Sequence, residues 1–483
     1  MRKIIITILL TGFFISCNDR LEELNKPTKT AVNVPAETLF TNGLREMYDM
    51  MVNSDINVNP FRMYAQYWAA CQYPDESNYN MVGRRIPDNF WERGYRDALK
   101  DMDEARVVLE ENWEALGLTE AEYLNRLAII NVNKAYVFGI LVDSFGAVPF
   151  TEALSLEFLS PKYEPGKDVY DAVIAMTEDA IANLDEGAEG WPAAQDLIYE
   201  GDIALWKKFA NTLKLKLAIM IADVDGARAG TMISQALAAG VFESNDDNAA
   251  IPYLPSQPNT NPVWDDLVQS GRKDYVPANT IVDKLLALDD PRLPIFATPD
   301  PDGDYTGGTY GTNNTYALLS HLGEVFHTPD QEGLILDYSE VQFMLAEAAE
   351  RGYATPQTAA QHYTEGVKSS LEYWGVDDAD ITTYLASPDV AYATAEGGGT
   401  WKQKIGIQQW IAYFNRGFEG WTLWRRLDFD VLNVPPGLTY DDIPKRLIFP
   451  IEEATLNPIN LDDAIELIGG SDDVQTRVFW DVN

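Results

Sequence analysis

Trp206-Lys207-Lys208-Phe209-Ala210-Asn211-Thr212-Leu213-Lys214-Leu215-Lys216-Leu217-Ala218 is the stretch from which the fold class is read. Trp206, Phe209, Leu213 and Leu217, continued by Met220, recur every three or four residues, and Lys207, Lys208, Lys214 and Lys216 lie off that line. A period near 3.6 puts the apolar set along one stripe of a helix. The spacing predicts a helix over 203–222 that presses this stripe into a core.

The same pattern recurs on both sides. Tyr170, Val173, Ile174, Thr177, Ile181 and Leu184 stripe residues 167–186, with Gly187 where a C-terminal cap belongs. Tyr338, Val341, Leu345 and Ala348 stripe 338–351, closed by Gly352. Tyr363, Val367, Leu371 and Trp374 stripe 359–374, and a longer run joins Ile407, Ile411, Phe414, Phe418 and Trp421. Trp401, Trp410, Trp421 and Trp424 belong to such patterns and are assigned to the core; Arg425 and Arg426 beside them either pair with internal acids, the preferred reading, or touch ligand. The expected class is all-α. Two stretches break the rhythm: 72–90, and 244–333, which is rich in Asn, Asp, Pro, Gly and Tyr and has helical spacing only over 278–288. A long irregular segment inside a compact unit points to function. No linker composition splits the chain, so residues 38–483 are expected to form one domain with a loop-rich insertion at about 244–333.

Charge narrows the possible partners. With 36 Lys+Arg against 75 Asp+Glu the formal net charge is −39, which repels phosphate backbones and argues against nucleic acid. Cys17 and Cys71 provide no disulfide framework. Cys71 reads as a small buried hydrophobe. At the N-terminus Arg2 and Lys3 precede an apolar run, Ile4 to Ile15, that ends in Phe14-Ile15-Ser16-Cys17. The run has the size of a signal-peptide core. A small residue followed by Cys fits a lipoprotein cleavage site, and acyl chains on the Cys17 thiol would anchor the protein to a membrane. Residues 1–16 are therefore expected to be a lipoprotein signal peptide and 17–37 a lipidated tether. No later segment is expected to cross a membrane.

Four segments in order resemble the SusD/RagB family of nutrient-binding outer-membrane lipoproteins. They are Leu141-Val142-Asp143-Ser144-Phe145-Gly146-Ala147-Val148-Pro149-Phe150-Thr151-Glu152-Ala153; Tyr199 to Asp202 with the Trp206–Ala218 helix; Tyr338-Ser339-Glu340-Val341 with Ala346 to Gly352; and Pro444 to Glu453 with Asn457 to Asn460. Ala147 stands where the family usually has Asp. The resemblance implies tetratricopeptide-like helix pairs supporting a loop-rich ligand-binding face. It also implies a cell-surface, lipid-anchored protein of the outer membrane that passes a nutrient, an oligosaccharide for preference, to a SusC-like TonB-dependent transporter. It implies neither an enzyme nor a cofactor. The helix-pair repeat itself is not visible at a 34-residue period.

Sugar recognition needs flat aromatic faces together with amide, carboxylate and guanidinium groups for the hydroxyls. Tyr73, Asp75, Asn78, Tyr79 and Arg84 supply that mixture in the first irregular stretch; Trp264, Tyr275, Tyr305, Tyr310 and Tyr316 form a second set in the insertion. Gly307, Gly308 and Gly311 would let backbone approach a ligand. Asp300, Asp302 and Asp304 do not match a Ca²⁺ loop, because Gly303 and Gly311 fall at the wrong positions. His321, His327 and His362 lack zinc-site spacing. No metal and no catalytic residue is assigned. A surface glycoside hydrolase, which needs a pair of carboxylates flanking the bond, and a peptide-uptake protein of the same fold stand as alternatives. Without its anchor the chain is expected to be monomeric.

Overall fold

The structure, a computed structural model, describes residues 34–482. The expected signal peptide, Cys17 and most of the tether lie outside the described residues, and the first helix, α1 (Ala36–Val52), begins within the 17–37 stretch. The chain is 53% helix and 4% strand. α2 (Ile86–Glu92) runs through a π turn, Arg93–Leu99, into α3 (Lys100–Asn112), which packs on α1. Then come α4 (Glu120–Phe145), α5 (Gly166–Asn183), α6 (Ile203–Met220) and α7 (Gly226–Ala239). After the insertion, which carries α8 (Asn279–Ala287), follow α9 (Tyr338–Glu350), α10 (Ala359–Tyr373), α11 (Asp378–Ala386), α12 (Trp401–Ala412), α13 (Gly417–Leu427) and α14 (Pro458–Leu467). Neighbours in sequence pair in space: α4 with α5, α6 with α7, α9 with α10, α12 with α13.

The stripes account for the packing. Trp206, Phe209, Leu213, Leu217 and Met220 of α6 are all buried. α4 starts at a capping box in which Thr119 and Glu122 satisfy each other's backbone N–H. Contrary to the sequence reading, α4 is long and apolar enough to cross a membrane; 89% of its most apolar window is buried inside the protein, so it is the central core helix. Its C-terminal end is a convergence point. The Arg425 guanidinium donates to the carbonyls of Asp143 and Lys445, Arg446 donates to the Phe145 carbonyl at 3.1 Å, and the Trp480 indole donates to the Asp143 carboxylate at 2.6 Å.

One expected run is interrupted. The stripe through Ile407 and Trp421 is two helices, because Arg416 leaves helical geometry (φ −115°, ψ 72°). Its buried guanidinium reaches the Ile335 carbonyl, Glu340 and Asp337. The turn also brings Gly417 against residues 61–62, where a Cβ would lie 2.3 Å from the Arg62 nitrogen. The apolar period survives the break because both helices face the same core. Lys216, off the α6 stripe, is mostly covered, with 14% of its side chain exposed: its ammonium lies 2.9 Å from Glu340 and 2.5 Å from Glu419, tying α6 to α9 and α13.

Two short antiparallel strand pairs organise the irregular segments. β1 (Trp68–Ala70) pairs with β3 (Tyr275–Pro277), and β2 (Ala249–Ile251) with β4 (Gly333–Leu336). The second pair closes the base of the insertion. The first carries its middle back onto the loop that follows β1.

Candidate ligand-binding site

Because Ala70 pairs with Tyr275, residues 72–85 emerge from β1 directly beside residues 272–275, which lead into β3. The pairing continues past the strand, since the Cys71 N–H donates to the Asp274 carbonyl at 2.7 Å. A cleft opens between these segments and Asp55-Ile56-Asn57; Gln72, Tyr73, Glu76, Arg84, Arg272, Asp274 and Tyr275 also line it. Its cavity volume is about 30 Å³, room for one or two waters. The cleft is therefore too small to enclose a sugar ring.

The loop is held in a strained shape. Tyr73 (φ 57°), Tyr79 (φ 65°) and Arg85 (φ 55°) occupy the left-handed region that non-glycine residues avoid, as does Gln66 just before it (φ 56°). Each such residue costs on the order of 1 kcal/mol or more, and such strain concentrates at functional sites. The restraint comes from below. Gln66 accepts from the Thr280 hydroxyl at 2.7 Å and from the Asn433 N–H at 2.9 Å, and donates to the Asn433 carbonyl at 2.7 Å. The result is a Tyr73 ring that is 60% exposed, with the Arg84 guanidinium 5.8 Å from its centroid. Arg84 is itself fixed by Glu76 and by the Asn57 side chain, 3.3 Å away. Across the cleft Arg272 pairs with Asp274 at 2.6 Å, and Asp55 accepts from the backbone and side-chain amides of Asn57. The rim thus offers one flat aromatic face above donors and acceptors, with Arg84 and Arg272 each compensated by an acid and Asp55 held by a neutral amide. Beside Tyr275, burial pushes the Asp266 carboxyl up to about 6, although it accepts from the Ser54 hydroxyl.

The two residue sets expected from sequence converge only in part. Tyr73, Arg84 and Tyr275 line the cleft, and Tyr275 packs against Trp68. Asp75 is exposed on the loop. Asn78 is occupied with structure, its amide donating to the carbonyls of Pro74 and Gly311 and thereby joining the loop to the insertion. Tyr79 and Tyr310 are corrections: both are buried, 7% and 3% exposed, and they form a tyrosine cluster with Tyr64 beneath the loop. Burial pushes the Tyr79 hydroxyl up to about 12. Tyr316 stacks on His321 at 3.9 Å with Lys273 over its ring, at the end of the segment whose Asn314 binds Ala70 and Cys71. No ring or polar contact among the described residues joins Trp264 or Tyr305 to the cleft. Gly307, Gly308 and Gly311 serve packing rather than ligand approach. A Cβ at Gly307 would lie 2.6 Å from Asn279, at Gly308 2.6 Å from Val276, and at Gly311 2.7 Å from Pro435. The Asp300 carboxylate is filled by its own turn, accepting from the N–H groups of Asp302 and Asp304 and from Thr306.

Sequence reasoning missed Asp55, Asn57, Gln72, Glu76, Arg272 and Asp274. Arg272-Lys273-Asp274 stands out as a charged run before Tyr275, but only the β1–β3 pairing shows what it faces.

Comparison with known proteins follows the same lines. A family described as starch-binding associating with the outer membrane matches residues 26–450. No curated protein sequence matches. Among solved structures, one titled a chitin-binding protein is similar at 26% identity and TM-score 0.79, covering 93% of this chain and 100% of its own. A chitin-binding SusD homolog from Flavobacterium johnsoniae shares the fold at 23% identity and TM-score 0.78, over 92% of this chain and 99% of its own. A SusD homolog from Parabacteroides distasonis does so at 23% identity and TM-score 0.80, over 93% and 98%.

Proposed function

Since the chain belongs to the SusD-like family, we propose that it is a lipid-anchored protein of the cell surface that captures an oligosaccharide and delivers it to a SusC-like, TonB-dependent transporter in the outer membrane. The observation that carries the reading is Tyr73: an exposed ring on a strained backbone, braced by Arg84, at the lip of a polar cleft. A rigid, outward phenol covers the apolar face of a sugar ring at small entropic cost, and the amide and charged groups beside it suit hydroxyls. The starch-binding description of the family and the chitin-binding title of a similar structure support a glycan. The N-terminal sequence supports the anchor, with Cys17 as its acyl acceptor.

Two observations weigh against the alternatives. Glycoside hydrolysis needs a free acid and a free base. In the cleft Glu76 is paired with Arg84 and Asp274 with Arg272, which leaves Asp55, held by the neutral Asn57 amide, as the one lining carboxylate without a cation; the raised Asp266 carboxyl does not line the cleft. Peptide capture by strand addition needs an open sheet edge. Here the insertion covers the β1–β3 pair on both sides: Gly308 binds Pro277, and Asn314 binds Ala70 and Cys71.

The test is calorimetry of the soluble chain, from Asn18 onward, against starch and chitin oligosaccharides and a peptide panel, with Tyr73→Ala alongside. Glycan binding without turnover, weakened by about tenfold or more in the variant, is the expected result. Turnover would make the protein an enzyme; binding of peptides alone would replace the sugar as cargo.

A further inference from the structure

α1 and α3 are locked together where Gly43 lets them approach: a Cβ there would lie 2.8 Å from the Met102 side chain and 3.2 Å from the Met102 nitrogen. Beside that contact the Asn42 amide donates to Asp101 at 2.7 Å. Toward the start of α1 a groove of about 690 Å³ opens instead. Leu39 of α1 and Val108 of α3, with Ala115 and Leu116 just beyond α3, supply its apolar lining. Val34 and Pro35, which lead into α1, line it as well, so the chain enters its first helix through this groove.

The residues immediately before Val34 carry the pattern of an extended strand. In Thr28-Lys29-Thr30-Ala31-Val32-Asn33-Val34 every second residue is β-branched. Such residues favour extended backbone, and a period of two puts Thr28, Thr30, Val32 and Val34 on one face. Pro27 and Pro35 bracket the stretch, and the residue before each is biased to extended conformation. Val34, the last member of that face, already lines the groove. Continued backward in the same conformation, the chain carries Val32 and Thr30 along it. The rim carboxylates of Glu104 and Glu111 offer acceptors for the N–H groups that a strand outside a sheet leaves unpaired.

Connectivity selects the occupant. A segment joined to the groove through Val34 has an effective concentration there on the order of millimolar, which a second copy or a separate partner does not have. We propose that residues 28–33 dock as an extended strand in the groove between α1 and α3, with Val32 and Thr30 against Leu39, Val108 and Leu116. Resting on the lipid anchor at Cys17 proposed above, docking has a consequence at the membrane. Residues 18–27 remain as the free link and reach roughly 35 Å fully extended, where residues 18–33 would reach roughly 55 Å. The docked strand thereby limits how far the body stands from the bilayer.

The experiment is limited trypsin digestion of the soluble chain from Asn18, read by mass spectrometry. Trypsin cuts after Arg20 and after Lys29, whereas Pro27 blocks the bond after Lys26. A synthetic peptide of residues 18–33 gives the undocked rates. Cleavage after Lys29 is expected to be about tenfold or more slower in the chain than in the peptide, because proteolysis follows the population of the open form. Cleavage after Arg20 should keep the peptide's rate. Val32→Asp, and separately Leu116→Asp, should each restore the Lys29 rate. Val32 precedes the helical body and Leu116 is half exposed, so both variants keep a cooperative melting transition. Equal Lys29 rates in chain and peptide, or protection that both variants leave intact, would overturn the docking. Protection that grows with protein concentration would overturn it too, by giving the groove to a second copy. The digestion does not involve the lipid: Cys17 found unacylated in the membrane-derived chain, with Lys29 protected, would remove the anchor and leave the docked strand standing.

Discussion

Tyr73 and Tyr79 are six positions apart in one loop, and both read as ligand-facing from sequence, yet they do opposite work. Tyr73 points outward at 60% exposure, and Tyr79 packs under the loop against Tyr64. Composition could mark the loop but not the side of it, because each ring's direction depends on a left-handed backbone that no periodic pattern announces. The two changes should therefore separate. Tyr73→Ala is expected to weaken glycan binding with the melting temperature unchanged, whereas Tyr79→Ala, which deletes a buried aromatic, should cost about 3 kcal/mol in urea unfolding. A second residue, His362, makes a pH prediction. Its ring is buried and neutral: Nδ1 lies 2.7 Å from Gln342 Oε1, and Nε2 accepts from the Gln357 N–H at 3.2 Å. Burial lowers its pKa from 6.5 to about 4. Below pH 6.5 the unfolded chain binds a proton here that the folded chain refuses until about pH 4. The stability this residue contributes is full above pH 6.5 and is lost as pH falls through that window. Urea midpoints measured between pH 7 and 4.5 should fall less steeply in His362→Asn than in the parent; parallel curves would show that the ring is not held neutral.

Helices were legible wherever a stripe of Trp, Phe, Leu and Tyr kept its period, as in α6, α9 and α10, because burial of one face is what such a pattern encodes. The break between α12 and α13 was not legible: the apolar spacing runs through it, and its cause is the distant acids that hold Arg416. Nor was the β1–β3 pair, which consists of three-residue strands far apart in the chain with no alternation to read. The family-like segments turn out to be scaffold, either core helices such as α6 and α9 or joints between elements, which explains why they announce the fold and are silent on the ligand. Phe145-Gly146 is such a joint. A Cβ on Gly166 would sit 1.9 Å from the Gly146 carbonyl oxygen, so α5 can start against the end of α4 only with glycine there. Gly166→Ala should cost about 3 kcal/mol, read as a shifted urea midpoint. Lys216 joins three elements by charge. Replacing it with Met leaves Glu340 and Glu419 facing each other with only Arg416 to share, and should cost about 3–5 kcal/mol, the usual penalty for unpairing a buried charge. An unchanged midpoint would mean that one of the two acids takes up a proton at little cost.

At the scale of the whole molecule the excess of acids opposes compactness, since a net charge of −39 repels itself once the chain is folded. Salt acts on two opposing terms. It weakens the exposed ion pairs, such as Arg96–Glu92 and Lys167–Asp171, each worth about 0–1 kcal/mol. It also screens the like-charge repulsion spread over the entire surface, as the Debye length shortens from about 30 Å at 0.01 M to about 3 Å at 1 M. Repulsion involves every uncompensated carboxylate, while the exposed pairs are individually weak, so screening should win: the melting temperature is expected to rise by a few degrees between about 0.01 and 1 M NaCl. The same series probes the cargo. In the cleft Arg84 and Arg272 are each neutralised by an acid, leaving no net positive field to hold an anionic polymer. Affinity for the bound glycan should then be flat across the salt series while stability climbs. A falling melting temperature would show that the ion pairs outweigh the net charge, and an affinity that drops steeply with salt would mean the ligand is acidic and meets an arginine freed from its partner on binding.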